Sequence, residues 1–427
     1  MKYLIVIANG LTDDPIAEKD NKTPLQLADT PNLDRLARLG RSGMVHTIPE
    51  TLHAGSDVSF LSLLGYAPER YYAGPAYFEA AALNVKLDED DFPLCCDFVI
   101  LQSSHNDMVM KDYAAGGISS GDANLLLDAL RKQIVNVSVD FYPGNGYRNL
   151  MVVKNRLLAR TGVLKTGPAG PMKNGGAPPP DGPAAPARLT PPDELIGEGI
   201  RRHMPADDAH KELAYIVNQA QIILHHHPLN KERRRKGLDP VNSIWPWGNG
   251  GRPDLPSFES ENRKTASAVS ASSLFTGMAV CAGMKVVPAQ GAAGSMDADY
   301  RGKVHAALAE LETRDAVYLQ VSACEEVSLH GNLDDKILAI EDFDREVVGP
   351  LLSALEGQND VKILLVVSHV SSAVLMKYKK DPVPFVVYPA RRGPDGTERF
   401  DEDILKAGSE RFRDGPELIQ ALFKGEL

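Results

Sequence analysis

Short apolar runs alternate with amphipathic stretches along this chain. Residues 3–8, 316–323, 361–367 and 384–388 have the length and the branched apolar residues of buried strands. The stretches "NLDRLARLG" and "DKILAIEDFDREVVGPLLSAL" repeat apolar residues at helical spacing. Strands that alternate with helices predict an α/β fold, with a mainly parallel sheet between helices.

Polar residues follow three of these strand runs. Asn9 follows the first run, Cys324 and Glu325 end the second, and Ser368 and His369 follow the third. Because the carboxyl ends of parallel strands meet at one edge of a sheet, we expect these side chains to converge there. That edge is where α/β proteins place their functional groups.

The middle of the chain predicts a second domain. Residues 107–153 have the pattern of strand, turn, helix and strand again, while residues 166–192 are too rich in Pro, Gly and Ala to form a packed element. We predict a core domain formed by residues 1–75 and 236–427, and an inserted α+β domain of residues 76–235 that carries a flexible loop at 166–192.

Composition excludes several classes of function. The net charge of -11 disfavours nucleic-acid binding, which needs clustered Lys and Arg. The first apolar run is too short for a secretory signal or a membrane span. The four cysteines show no CxxC spacing, so neither a zinc knuckle nor a disulfide framework is indicated. These features predict a cytoplasmic protein without nucleic-acid or membrane partners.

Several longer segments carry a family resemblance. "KTPLQLADTPNLDRLARLGRSGMVHTIPE", "GSDVSFLSLLGYAPERYYAGPAYFEAAAL", "VNSIWPWGNGGRPDLPSF" and "DPVPFVVY" resemble the archaeal-type, cofactor-independent phosphoglycerate mutases. That family belongs to the alkaline-phosphatase-like metalloenzyme superfamily. The resemblance covers nearly the whole chain in order, and it implies an alkaline-phosphatase-like α/β core with an inserted domain.

The resemblance also implies an activity and its machinery. In the family, a serine exchanges a phosphoryl group between 3-phosphoglycerate and 2-phosphoglycerate, and two divalent ions, usually Mn or Mg, bind the phosphate and activate the serine. Ser56 in "GSDVS" occupies the nucleophile position. Asp57 beside it and Arg148 in "GYRNL" occupy retained substrate-binding positions.

Most of the metal-ligand positions of the family carry other residues here. In this chain those positions are Asn9, Ser56, Glu325, Leu329, Ser368, His369 and Tyr378. Only Ser56 and His369 keep the residue type of the family, and a leucine cannot bind a metal. A shift by one residue would place Glu326 and His330 at the spacing of Glu325 and Leu329, and that alternative stays open.

The resemblance shows replacements at substrate positions as well. Pro75 stands where the family has an arginine, and Gly117 and Asp193 stand where it has histidines. Both retained residues also have a structural interpretation, in which Ser56 caps a helix and His369 is a hydrogen-bonded residue at a strand end.

Two hypotheses follow. In the first, the chain is a degenerate homologue that has lost the two-metal chemistry, carries no resident cofactor, and acts as a binding, regulatory or scaffolding subunit. Its partner would be another protein, a second copy of the chain or a phosphorylated small molecule. In the second, it is an active phosphotransferase, mutase or phosphatase that uses Ser56 and one weakly bound Mn or Mg ion, held by Asn9, Ser56, Ser368 and His369.

Overall fold

The computed structural model describes residues 1–104, 107–154, 189–204, 211–288, 299–358 and 360–427. The chain divides into two compact units, which comprise Met1–Tyr72 with Asp254–Leu427, and Ala73–Pro253. The loop predicted at 166–192 lies outside the described residues except for its last four. No helix in the described ranges is both long and apolar enough to cross a membrane.

Fifteen strands are present in the described ranges. They are β1 (Lys2–Ala8), β2 (Arg41–Val45), β3 (Asp91–Ser104), β4 (Asp107–Asp112), β5 (Val139–Asn145), β6 (Arg148–Lys154), β7 (Ser243–Trp247), β8 (Ala266–Ser270), β9 (Lys285–Pro288), β10 (Ala316–Val321), β11 (Val361–Val367), β12 (Val370–Ser372), β13 (Lys377–Lys379), β14 (Val383–Tyr388) and β15 (Glu410–Phe412).

The helices of the first unit are Pro24–Leu27, Pro31–Leu39, Ser56–Leu63, Pro68–Tyr71, Phe258–Asn262, Ser273–Cys281, Tyr300–Leu311, Ala323–Leu329, Leu333–Phe343, Gly349–Leu355, Ile404–Ala407 and Gly415–Lys424. A π-helical turn, Asp344–Val348, joins two of them, and Ala17–Lys19 is a 3₁₀ turn. Those of the second unit are Ala76–Ala82, Ser120–Gln133, Lys211–His226 and Pro228–Arg235, with 3₁₀ turns at Pro192–Leu195 and Arg201–His203.

An eight-stranded sheet forms the core of the first unit, in the order β15-β2-β14-β11-β1-β10-β8-β9. The pairs of β1 with β10 and β11, of β10 with β8, and of β8 with β9 are parallel. β14 pairs antiparallel with β11 and with β2, so the sheet is mixed at this side. The predicted α/β class with a mainly parallel sheet is therefore confirmed.

The second strand run ends earlier than the sequence predicts. β10 stops at Val321, and Glu325 lies in the first turn of helix Ala323–Leu329. Because this helix starts two residues after the strand, Glu325 still lies beyond the carboxyl end of β10. Although β10 ends early, the Glu325 side chain therefore still lies at the predicted edge of the sheet.

The second unit is built on an antiparallel sheet in the order β4-β3-β6-β5, with β7 paired to β3. Helices Ser120–Gln133 and Lys211–His226 cover one face of this sheet and form the main core of the unit. The predicted boundary at residue 235 differs from the boundary in the structure, which follows Pro253. The cause is β7, because its pairing with β3 places it in the second unit.

Candidate functional site

The central strands of the first unit end at the same edge of the sheet, so residues that are far apart in the sequence lie close together there. Ala8, the last residue of β1, pairs with Val321 of β10 on one side and with Val367 of β11 on the other. Asn9 and Ser368, which follow these strands, therefore emerge side by side. The backbone N–H of Ser368 donates to the carbonyl of Ala8 at 3.1 Å and fixes this alignment.

Glu325 is the centre of the cluster at this edge. Nδ2 of Asn9 donates to its Oε2 at 3.0 Å, and the hydroxyl of Ser56 donates to its Oε1. Nε2 of His369 lies 3.5 Å from the same Oε1. The structure thus brings together Asn9, Ser56, Glu325 and His369, which the sequence places at the ends of different elements.

Ser56 is the first residue of helix Ser56–Leu63, and Gly55 is the N-cap. The capping role considered for Ser56 is therefore wrong. The helix is buried along almost its whole length, so its start is held rigidly against the sheet. This placement leaves the Ser56 hydroxyl free to reach Glu325 on another helix.

His369 is fully buried, and its Nδ1 faces two hydroxyl groups. Oγ of Ser368 lies 3.0 Å from Nδ1 and Oγ of Ser59 lies 3.2 Å from it. The ring of Tyr378 packs edge-on against the imidazole, with 4.8 Å between the ring centroids. Hydroxyl and aromatic groups therefore surround the Nδ1 side of His369, whereas its Nε2, which faces Glu325, is buried without a hydrogen-bond partner in the described part of the chain.

The electrostatics of the cluster keep Glu325 ionised. Burial alone would raise the pKa of this carboxyl group, but the neighbouring imidazole of His369 opposes the rise, together with the hydrogen bonds from Asn9 and Ser56. Their combined effect lowers the pKa of Glu325 to about 2. The carboxylate is thus a negative charge that the protein itself compensates.

The helix that carries Glu325 also distinguishes the two alignments with the family motif, which use either Glu325 and Leu329 or Glu326 and His330. Glu325 and Leu329 are both buried, one turn apart, whereas His330 is exposed at the end of the helix. The charge of Glu326 acts on Tyr300 and Lys303, which belong to helix Tyr300–Leu311. The shifted pair therefore does not replace Glu325 and Leu329 at the cluster.

The metal-ligand positions do not fit a pair of divalent ions. Hard divalent cations require several oxygen anions, and two adjacent ions repel unless carboxylates neutralise them. Glu325 is the one carboxylate among these positions, and both of its oxygens accept hydrogen bonds. Nowhere in the described part of the chain do three or more His, Cys, Asp or Glu side chains form a group that could hold a metal ion.

Asp57 lies beside Ser56 but its carboxylate faces other partners. Nε2 of His53 lies 2.8 Å from Oδ1 and 3.0 Å from Oδ2 of Asp57, and the hydroxyl of Tyr72 donates to Oδ2. Asp57 is buried, so these contacts compensate its charge inside the protein. The substrate-binding role of Asp57 stays a prediction.

Arg148, the other predicted substrate residue, and the three replaced substrate positions belong to the second unit. Arg148 begins β6, and its guanidinium lies over the ring of Tyr147 at 5.5 Å. Pro75 precedes helix Ala76–Ala82 and Asp193 lies in the 3₁₀ turn Pro192–Leu195. Gly117 has a positive φ of 64° with open space around it.

Sequence reasoning missed three residues that shape the cluster. His53 and Tyr72 bind Asp57, and Ser59 contacts His369. A signal for Ser59 was present, because a residue three positions after Ser56 lies on the same face of the helix. His53 lies four residues before Asp57 but precedes the helix, so helical spacing does not predict their contact, and Tyr72 is 15 residues later in the chain.

Comparisons with known proteins show which family the chain resembles. The family model of 2,3-bisphosphoglycerate-independent phosphoglycerate mutase matches residues 37–230. The chain is 36% identical over 423 residues to a probable 2,3-bisphosphoglycerate-independent phosphoglycerate mutase of Geobacter sulfurreducens, with 99% of each chain covered. It is also 36% identical over 428 residues to the corresponding enzyme of Methanosarcina barkeri, with 100% of each covered.

Two solved structures share the fold. The PH0037 protein of Pyrococcus horikoshii has a TM-score of 0.72 at 24% identity, with 99% of this chain and 97% of that chain covered. The cofactor-independent phosphoglycerate mutase of Thermoplasma acidophilum has a TM-score of 0.54 at 28% identity, with 99% of both chains covered. The predicted fold, an alkaline-phosphatase-like α/β core with an inserted α+β domain, is therefore confirmed. The full-length relatives show that the chain belongs to the family of 2,3-bisphosphoglycerate-independent phosphoglycerate mutases.

Proposed function

We propose that this chain keeps the phosphoglycerate mutase scaffold without the two-metal phosphoryl transfer of the family, and that it acts as a binding, regulatory or scaffolding subunit. The observation that carries the proposal is the hydrogen bonding of Glu325. Its carboxylate accepts from the Asn9 amide and from the Ser56 hydroxyl. The charge that remains at the metal positions is thus compensated within the chain.

The donor set supports the loss of two-metal binding. Asn9 donates from its amide NH₂ group to Glu325, and its amide oxygen, which is buried without a hydrogen-bond partner among the described residues, would bring no negative charge to an ion. Leu329 has no ligating atom, and Tyr378 contacts His369 through its ring. Loss of a group that only supports a ligand costs about 10–100-fold in metal affinity or activity, so replacement of several ligands costs more.

The residues at the substrate-binding positions support the same proposal. Phosphate and carboxylate groups are best held by the planar fork of arginine, which a neutral or acidic residue cannot replace. Arg148 is retained, but Pro75 and Asp193 offer no positive charge, and Asp57 is hydrogen-bonded to Tyr72. We therefore propose that phosphoglycerate turnover is lost.

Calorimetric titration of the metal-free protein with Mn²⁺ and Mg²⁺ at neutral pH tests this proposal. We expect neither ion to occupy two tight sites. Two sites with Kd values in the micromolar range or below, about −8 kcal/mol each, would contradict the proposal. A single tight site that disappears in His369→Ala would instead favour an enzyme with one metal ion.

A further inference from the structure

The first unit contains a cavity of about 250 Å³ at one edge of its sheet. Thr265, which directly precedes β8, Lys285, which begins β9, and Arg314, which stands two residues before β10, all line this cavity. Because β8, β9 and β10 are parallel, residues at their starts meet at the amino edge of the sheet. The cavity therefore lies at the edge opposite to that of Ser56 and Glu325.

Arg314 contributes a buried donor that lacks an acceptor. Its Nε is shielded from solvent and has no hydrogen-bond partner among the described residues. Oε2 of Glu310 lies 3.9 Å from Nε, which is an ion-pair distance but too long for a hydrogen bond. A buried N–H group without an acceptor is costly, so a ligand oxygen that accepts from Nε would relieve this cost.

Glu310 positions two cations beside the cavity. Its Oε1 accepts from Nζ of Lys285 at 2.6 Å, and its Oε2 accepts from the hydroxyl of Ser267 at 2.6 Å. The Glu310 side chain is 12% exposed, so these contacts hold a mostly buried carboxylate in place. Because Arg314 pairs with the same carboxylate, both cations are anchored at the lining of one cavity.

The other groups at the cavity limit the charge of a ligand. Two cations face two carboxylates, since Glu259 lies on the exposed rim and Glu310 lies behind Lys285 and Arg314. A ligand with one negative charge can pair with Arg314 at a small cost in repulsion, whereas a doubly charged phosphate would meet more repulsion from these carboxylates. A carboxylate also matches the planar fork of a guanidinium group.

The floor of the cavity is apolar. Phe258 is 1% exposed and Met284 is 7% exposed, and both line the cavity beside the charged groups. Small-molecule sites commonly combine such apolar walls with a few polar groups that fix the orientation of the ligand. The cavity thus offers a surface for the carbon part of a ligand and a cation for its acid group.

We propose that this cavity binds a small molecule through a carboxylate group, with Arg314 as its hydrogen-bonding partner and Lys285 as a second cation. The inference goes beyond the proposed function, because it concerns the other edge of the sheet and does not depend on the loss of metal chemistry. It gives the chain a ligand site that is separate from the cluster of Ser56 and Glu325.

Met284 provides a probe inside the cavity. Full-length protein labelled with ¹³C in its methionine methyl groups gives a signal for Met284, which is assigned by its loss in Met284→Leu. Met376 lies in the turn between β12 and β13, beyond the carboxyl end of β11, and it serves as the internal control.

Titration with sodium butyrate at constant ionic strength tests the proposal. We expect a saturable shift of the Met284 signal with a Kd below about 10 mM, while the Met376 signal stays in place. Butyramide has nearly the same shape but no charge, and it should give no saturable shift in this range. Inorganic phosphate should bind more weakly than butyrate, because of its second negative charge.

Variants identify the residues that hold the carboxylate. Arg314→Gln should weaken butyrate binding at least about tenfold, or 1.4 kcal/mol. Arg301→Gln is the matched control and should leave binding unchanged, because Arg301 is 76% exposed and pairs with Glu346 at 2.5 Å. Lys285→Gln should also weaken binding, and it keeps the test decisive if Arg314→Gln does not fold.

Several outcomes would overturn the inference. One is the absence of a saturable Met284 shift at butyrate concentrations well above about 10 mM. Equal binding of butyramide, or tighter binding of phosphate than of butyrate, would show that the cavity does not select a carboxylate. Unchanged binding in Arg314→Gln and Lys285→Gln would show that these cations do not hold the ligand.

Discussion

The hydroxyl of Ser56 donates a hydrogen bond to Oε1 of Glu325, a residue 269 positions later in the chain. This contact joins the start of a buried helix to the helix that follows β10. It gives the retained serine a partner from the protein itself, at a position where the family resemblance implies a metal ion.

Glu325→Ala should destabilise the protein by about 1–3 kcal/mol, because the Asn9 amide and the Ser56 hydroxyl lose their shared acceptor in a buried setting. Urea unfolding at pH 7 measures the loss. Glu312→Ala, at an exposed position, is the control and should cost less than about 1 kcal/mol. Equal losses in the two variants would show that the hydrogen bonds of Glu325 contribute nothing specific.

Lys336 forms a fully buried ion pair behind the cluster. Its Nζ donates to Oδ2 of Asp13 at 2.7 Å and to the carbonyls of Ser371 and Thr12 at 2.7 and 3.1 Å. Lys336→Met should cost about 3–5 kcal/mol in the free energy of unfolding, because it leaves the Asp13 carboxylate buried without its cation.

The control for this prediction is Lys285→Met. Lys285 pairs with Glu310 at 2.6 Å, but its side chain is 47% exposed, so the loss should stay within about 1 kcal/mol. Thermal or urea unfolding compares the two variants. A cost for Lys336→Met no greater than that for Lys285→Met would contradict the prediction.

Glu402 should make stability depend on pH near neutrality. Burial raises its pKa to about 7, although Thr23 Oγ1 donates to it at 2.6 Å. Because the folded-state pKa lies above the ordinary value of 4.5, the contribution is full below about pH 4.5 and is lost as the pH rises through about 7. Glu402→Gln should therefore flatten the change in unfolding free energy between pH 5 and pH 8, by roughly 1–2 kcal/mol.

Urea unfolding of the wild type and of Glu402→Gln at several pH values measures this effect. Glu398→Gln, at an exposed position nearby, serves as the control and should leave the pH profile of the wild type unchanged. A wild-type profile that rises over the same interval would reverse the predicted sign.

The alternation of apolar runs and amphipathic stretches predicted the α/β class, and the first and third strand ends placed Asn9 and His369 correctly. Periodicity could not predict that β14 runs antiparallel to β11, because the apolar pattern of a strand does not depend on its direction in the sheet. It also left β7 in the wrong domain, since the pairing of β7 with β3 is a contact between residues far apart in the chain. Periodicity also missed the partners of Asp57, because His53, four residues earlier, precedes the helix of Asp57, and Tyr72 lies 15 residues later in the chain.

Restoring the ligands that the family resemblance implies should restore metal binding. The variant carries Asn9→Asp, Glu325→Asp, Leu329→His, Ser368→Asp and Tyr378→His, and leaves Ser56 and His369 unchanged. Leu329 is buried one turn from Glu325, and Tyr378 already contacts His369, so the new ligands face the cluster. We expect Mn²⁺ binding that the wild type lacks, measured by calorimetry.

A matched control for the restored variant keeps Leu329 and changes the other positions. Because one imidazole is missing, its affinity for Mn²⁺ should fall by at least about tenfold. Mutase activity of the restored variant should lag behind its metal binding, since Pro75 and Asp193 still leave the substrate without positive partners. Indistinguishable Mn²⁺ binding by the restored variant and the wild type would show that the replaced positions do not form the metal site.

The central claim is that the unmodified chain does not interconvert 3-phosphoglycerate and 2-phosphoglycerate. The direct measurement is ³¹P NMR of 3-phosphoglycerate incubated with the purified protein and Mn²⁺ or Mg²⁺, beside the same reaction with Ser56→Ala. We predict that 2-phosphoglycerate forms no faster with the wild type than with Ser56→Ala. Turnover at an ordinary enzymatic rate of about 1–1000 per second, abolished by Ser56→Ala, would contradict the account.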